Sequence, residues 1–189
     1  MSKSRNQPHW NNQTGATLVE VLVSALLLAL GILAMAAMQV NAVQYSKTSE
    51  FRTLATLLAN DLGDRMRANH PALQNMSGAT GYDYLSTDAY AAPTLPDEPG
   101  TNCADGVTTC TFNQMAAYDK AVWSRTVFRQ LPQGTARVIV NGTGDRIYAD
   151  IWIVWTDPSS STSNQAADNC PANYNQPSTV RCVYFRIAI

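Results

Sequence analysis

A single carboxylate, Glu20, lies where an acidic side chain needs a specific electrostatic partner. It stands at the start of an apolar stretch that continues through residues 21–38. An ionised side chain in hydrocarbon costs about 2.5–3.5 kcal/mol on insertion scales, and such residues usually mark a function. The start of a helix favours negative charge, because the backbone dipoles leave partial positive charge there. We expect Glu20 either to pair with a nearby cation or to reach the polar membrane interface.

Four cysteines form a second chemically distinctive set: Cys103, Cys110, Cys170 and Cys182. Neither short spacing is typical of a zinc site, and no histidine lies near a cysteine in the sequence, so structural disulfides are favoured. Four cysteines allow three pairings. We favour Cys103 with Cys110 and Cys170 with Cys182, since each pair closes a short local loop.

No catalytic or cofactor-binding motif is found in the sequence. His9 and His70 are its two histidines, and it has no phosphate-binding glycine loop, HExxH motif or nucleophile elbow. We therefore predict no enzymatic activity, no metal and no cofactor. A weak calcium-loop spacing lacks the turn glycine, and we favour a flexible loop there; it comprises Asp157, Ser159, Ser161, Ser163 and Asp168. With 13 basic and 14 acidic residues, the chain has no electrostatic basis for binding nucleic acid.

A short polar leader, residues 1–15, precedes Glu20 and allows three interpretations. A secretory signal would be cut after the small-x-small site that ends at Ala36. A signal anchor would keep its leader, with the two basic leader residues in the cytoplasm. In the third interpretation the chain is cut on the cytoplasmic side after Gly15 and keeps the whole helix. The third is favoured, because it alone explains why Gly15, Glu20 and a long apolar stretch occur together.

One long helix over residues 17–68 is predicted to carry these features. Residues 16–38 are long and apolar enough to span a bilayer. Residues 39–70 become amphipathic, and Pro71 ends the helix because the residue before a proline avoids the helical region. Apolar side chains recur there at three- and four-residue steps, which predicts a packed face; they are Phe51, Leu54, Ala55, Leu58, Leu62 and Met66.

This combination resembles the type IV pilin superfamily: a glycine before the cut, a glutamate at the fifth mature position, and then an unbroken apolar helix. The resemblance implies cleavage by prepilin peptidase between Gly15 and Ala16, and N-methylation of Ala16. It also implies that Glu20 pairs with the Ala16 amine of its own or an adjacent subunit and sets the axial register of a filament. Ala16 stands where most pilins have phenylalanine.

The sequence NDLGDRMRAN at residues 60–69 is similar to a stretch found in minor pilins of the PilV type. Within it, Asp64, Arg65 and Arg67 are candidate subunit contacts. The alternative is an ordinary solvated helix face, on which charges three or four residues apart form weak pairs.

Residues 71–189 are predicted to form a globular α+β domain on the periplasmic side. Residues 71–110 indicate an irregular loop. A helix follows over residues 113–130, capped by Asn113, with one apolar side formed by Met115, Tyr118, Val122 and Phe128. Strands are predicted over residues 136–141, 146–156 and 179–189. The expected fold is the pilin lollipop, a long N-terminal helix packed on a small antiparallel sheet with a second helix.

The resemblance implies a minor pilin that primes pilus assembly at the tip and supports twitching motility and adhesion. Such a protein sits in the inner membrane, in contact with lipid, and then enters the pilus. Its expected partners are the major pilin, other minor pilins, prepilin peptidase and the inner-membrane assembly platform. A minor pseudopilin of a type II secretion system is the alternative. A membrane-anchored periplasmic enzyme is less favoured, because no cluster of reactive side chains supports it.

Overall fold

The computed structural model describes residues 15, 17–74, 82–85, 93–143, 146–157, 168, 170 and 179–189. The chain divides into two compact units, Met1–Val43 and Gln44–Ile189.

Helix α1 (Leu18–Ala68) is continuous and supplies residues to both units. The long N-terminal helix predicted from the sequence is therefore confirmed, and it begins one residue later than expected. Its end is closed by the Asn69 amide, which donates to the carbonyl oxygens of Arg65 and Met66 at 3.1 and 3.2 Å. Helix α2 (Pro71–Gln74) follows directly. Proline suits this first helical position, where no intrahelical N–H bond is lost.

The second unit contains a four-stranded antiparallel sheet in the order β1-β2-β3-β4. The strands are β1 (Tyr84–Leu85), β2 (Thr135–Thr143), β3 (Arg146–Thr156) and β4 (Val180–Ala188). The three longer strands match the three predicted ones. Strand β1 lies in the region predicted to be irregular, and two residues are too few to show a period in the sequence. With its second helix, the unit confirms the predicted α+β class.

The hairpin between β2 and β3 is tighter than the sequence suggested. Thr143 pairs with Arg146, so only residues 144–145, outside the described residues, connect the two strands. Gly142 has φ +99°, and a Cβ there would collide with the carbonyl oxygen of Arg146. Glycine is required at this position both for its positive φ and for its lack of a side chain.

One face of the sheet packs against α1 and helix α3 (Phe112–Gln130) to form the core. The buried side of β3 contributes every second residue, as the two-residue period of a strand requires. The largest fully buried side chains of this unit include Leu62 and Met66 from α1, Trp123 from α3, and Ile151, Ile153 and Trp155 from β3.

The start and the buried side of α3 differ from the predictions. Its N-cap is Thr111, whose hydroxyl accepts from the Gln114 amide at 3.3 Å, while the Gln114 side chain accepts from the Thr111 amide at 2.9 Å. The prediction of Asn113 as the cap was therefore wrong. The side predicted to be apolar is only partly buried, and the buried positions are Ala116, Asp119, Trp123, Ser124 and Val127. Asp119 and Ser124 are polar, so a search for regularly spaced apolar residues does not find this buried side of the helix.

Candidate assembly helix and its intramolecular contacts

Glu20 lies in the first turn of α1, with its side chain exposed. Its backbone amide donates to the Thr17 hydroxyl at 3.3 Å, and the Val21 amide donates to the Thr17 carbonyl at 3.2 Å. Thr17 is therefore the N-cap, a role that our sequence reasoning missed. The Thr-x-x-Glu spacing of a capping box was the available signal. Ala16, the predicted methylation site, lies outside the described residues, so its distance to Glu20 is not defined.

The N-terminal part of α1 exposes its apolar side chains on every side. All residues from 18 to 43 are exposed. Among the described residues, α1 is the helix long and apolar enough to cross a membrane, by length and composition. Exposed hydrocarbon is unfavourable in water, and this surface is consistent with membrane anchoring.

The C-terminal part of α1, by contrast, is anchored to the sheet and to α3. The Trp123 indole N–H donates to the Leu58 carbonyl oxygen at 2.8 Å, in a buried position. Gly63 lies so close to β4 that a Cβ would come within 3.0 Å of the Ile187 side chain. Gly63, which weakens an isolated helix, therefore permits close packing of α1 on the sheet.

Arg65 belongs to a partly buried polar network inside the unit. Its guanidinium contacts Asp61 at 3.0 Å and Asp119 of α3 at 3.1 Å. The Tyr82 hydroxyl donates to the other Asp119 oxygen at 2.8 Å. The side-chain amide of Asn69 donates to the Tyr82 hydroxyl oxygen at 3.2 Å. Burial above all raises the pKa of the Tyr82 phenol. The Asn69 bond opposes this rise and Asp119 adds to it. Tyr82 therefore stays protonated and serves as a donor.

Asp64 and Arg67 lie on a more exposed part of the same helix. Arg67 Nη1 contacts Asp64 Oδ1 at 2.8 Å, and Arg67 Nη2 donates to the Ala188 carbonyl oxygen at 2.7 Å. The Asp64 side chain remains 75% exposed. The structure therefore separates the three candidate subunit contacts: Arg65 is engaged within the chain, whereas Asp64 offers a carboxylate at the surface.

The four cysteines form two disulfides, Cys103–Cys110 and Cys170–Cys182, in the pairing favoured from the sequence. The first closes a loop that ends one residue before Thr111, the cap of α3. The second ties the connection between β3 and β4 to β4 itself. Each covalent link restricts the unfolded chain and so favours the folded one.

On the sheet face opposite the helices, Asp150 is the centre of a second polar cluster. Arg186 Nε and the Tyr184 hydroxyl donate to Asp150 Oδ1 at 2.7 and 2.6 Å, and the Asn141 amide donates to Oδ2 at 3.1 Å. Burial alone would raise the pKa of Asp150, but these hydrogen bonds and the charge of Arg186 hold it below its ordinary value. The Arg186 guanidinium also lies 4.6 Å from the centre of the Tyr148 ring.

Among the described residues, no group of three or more His, Cys, Asp or Glu side chains is arranged to hold a metal ion. The two acids of the calcium-like spacing have other contacts. Asp157 accepts from the Thr48 hydroxyl, and Asp168 pairs with Arg52. Residues 158–167 of that pattern lie outside the described residues.

Two family models match consecutive parts of the sequence. The prokaryotic N-terminal methylation motif matches residues 10–36, which contain Gly15, Ala16 and Glu20. The Tt1218-like family, described as type IV pilin Tt1218, matches residues 37–121. No curated protein and no solved structure matches the chain.

Proposed function

We propose that this chain is a minor pilin of the PilV type. The basis is its match to a type IV pilin family and to the prepilin methylation motif, which indicates a component of a pilus or pseudopilus. In this proposal it primes assembly at the pilus tip and supports twitching motility and adhesion. The observation that carries the proposal is the exposed apolar part of α1, which has Glu20 in its first turn, five residues after Gly15 of the predicted cleavage site. Type IV pilins are structural proteins, and we propose no catalytic activity.

The first proposed step is cleavage between Gly15 and Ala16 by prepilin peptidase, followed by N-methylation of Ala16. Cleavage would create a cationic amine four residues before Glu20, and this amine, of the same or a neighbouring subunit, is the partner that we propose for the Glu20 carboxylate. We expect mass spectrometry to find a mature chain that begins at a methylated Ala16, and an uncut chain in a strain without prepilin peptidase. A chain that begins at Met1 in both strains, or near Ala37, would contradict this step.

Before assembly, the exposed helix would hold the protein in the inner membrane with its folded unit in the periplasm. In the filament it would pack beside the helices of the major pilin and other minor pilins, which the inner-membrane assembly platform delivers. Glu20 would set the axial register, because its charge is satisfied at one position only. Exposed Asp64, and Arg67 with it, would supply a polar contact between subunits.

Substitution of Glu20 tests this mechanism. Glu20→Ala should leave a cleaved, stable membrane protein that no longer supports piliation. Glu50→Ala is the matched control, since Glu50 is an exposed carboxylate of the same helix that forms an exposed ion pair with Lys47. Normal piliation by the Glu20 variant, or equal loss in both variants, would reject a register-setting role.

A minor pseudopilin of a type II secretion system is the alternative, because the family matches fit a pilus and a pseudopilus equally. The two differ in what fails when the chain is deleted. Loss of surface pili and twitching with normal protein secretion supports the minor pilin. Loss of secreted proteins with normal pili supports the pseudopilin.

A further inference from the structure

Two carboxylates of the connection between β3 and β4, Asp157 at its start and Asp168 near its middle, contact the same face of α1. Asp157 directly follows β3, and its Oδ2 accepts from the Thr48 hydroxyl at 2.8 Å. Asp168 accepts from Arg52 Nη2 at 2.9 Å. Thr48 and Arg52 are four residues apart and therefore lie on one face of the helix, one turn from each other.

Asp168 also faces a second arginine, from the sheet. Arg181 Nη1 of β4 lies 3.5 Å from Asp168 Oδ2, and the two side chains are 3% and 1% exposed. A carboxylate this deeply buried is stable only if its charge is compensated. Asp168 therefore joins a buried arginine of the sheet to an arginine of α1.

A disulfide lies two residues after Asp168. The Cys170 amide donates to the Asp168 carbonyl oxygen at 2.9 Å, and Cys170 is bonded to Cys182, the residue after Arg181. Successive side chains of a strand point to opposite faces of the sheet. Asp168 thus contacts Arg181 on the helix side of β4, and Cys170 is bonded to Cys182 on the other side.

We propose that Asp168 is a positioning residue, held in place by the Cys170–Cys182 disulfide, that fastens the Thr48–Arg52 turn of α1 to β4. This strap acts where the folded unit begins, because the unit starts at Gln44. It orders a turn of α1 that lies before the main packed stretch, whose first buried residue is Ala55. The proposal concerns the folded unit alone and stands whether or not the chain assembles into a pilus.

The test is amide hydrogen exchange of the full-length protein in detergent micelles, measured on peptides covering residues 44–56. Asp168→Asn, and the joint change Cys170→Ser with Cys182→Ser, should each make exchange there roughly tenfold faster, the factor that corresponds to one charge-assisted hydrogen bond. Cys103→Ser with Cys110→Ser is the matched disulfide control. Lys47→Gln is the matched surface control, because it removes only an exposed ion pair of the same turn. Neither control should change exchange at residues 44–56.

Unchanged exchange in Asp168→Asn overturns the proposal. The Asp168→Asn variant keeps both disulfides. Its result therefore tests the proposal even if the Cys170→Ser/Cys182→Ser protein does not fold. Faster exchange in Asp168→Asn but not in a folded Cys170→Ser/Cys182→Ser protein overturns the role of the disulfide. Equal acceleration in both disulfide variants shows general loosening of the unit and also counts against a strap at this turn.

Discussion

The two parts of α1 have the same backbone but different relations to apolar surface. Residues 18–43 are apolar around the whole helix, and none of their side chains is buried. Residues 44–68 carry fewer apolar side chains, yet Ala55, Leu58 and Leu62 are buried against the sheet and α3.

This contrast shows that hydrophobicity alone does not create a core. Burying a leucine-sized side chain yields about 1.5–3 kcal/mol, but only if a complementary surface is available. Residues 44–68 find that surface within their own chain. The apolar side chains of residues 18–43 are not buried within the chain, so lipid or neighbouring helices could gain this free energy by covering them.

The largest expected difference between the two parts concerns leucines of equal size. Leu62→Ala should lower the free energy of unfolding of the Gln44–Ile189 unit by about 2–5 kcal/mol, because it leaves a cavity in a packed core; Leu62 is 1% exposed. Leu26→Ala should leave this free energy unchanged, since Leu26 is 61% exposed. Chemical denaturation in micelles, followed by tryptophan fluorescence, measures both. Equal destabilisation by the two variants would contradict the contrast.

A smaller effect is expected from the polar contacts that join α1 to α3. Asp119→Asn should lower the free energy of unfolding by about 1–3 kcal/mol, because Arg65 loses one of its two charged partners and Tyr82 loses a strong acceptor. Asp64→Asn is the control, since its ion pair with Arg67 is exposed and such pairs contribute little. The same denaturation experiment applies. If the Asp64 variant were the less stable of the two, the assignment of Arg65 to the inside of the unit would be wrong.

The smallest effect concerns pH. The pKa of Asp150 is held below its ordinary value in the folded state, so its contacts stabilise the unit fully above the ordinary carboxyl pKa of about 3.9. This contribution is lost as the pH falls through the lower pKa of the folded state. Unfolding measured from pH 6 downward, over roughly four pH units, should show a stability loss that is smaller in Asp150→Asn. Identical pH profiles would remove Asp150 as a source of stability.

Features set by neighbouring residues were well predicted from the sequence. The bounds of α1, the three long strands and the two short disulfide loops all follow from local periodicity, Pro71 or short spacings. The Thr111-x-x-Gln114 capping box is equally local, and the error of placing the cap at Asn113 was avoidable.

The contacts between distant residues were not predicted. Arg65 and Asp119 are 54 positions apart, and Asp150 and Arg186 are 36 positions apart. Which charges meet across such separations depends on how helices and strands are placed, and a single sequence does not encode this as a repeat. For the same reason Arg65, Asp64 and Arg67 look equivalent in the sequence, although only Asp64 is largely exposed.

The division of the chain after Val43 has a practical consequence. The described residues of α1 before Gln44 are all exposed, and within the second unit the Thr48 hydroxyl donates to Asp157. A truncated protein that starts at Gln44 should therefore keep the buried side chains described for that unit while lacking the exposed apolar residues 18–43. Such a fragment is the natural starting material for crystallisation and for solution NMR.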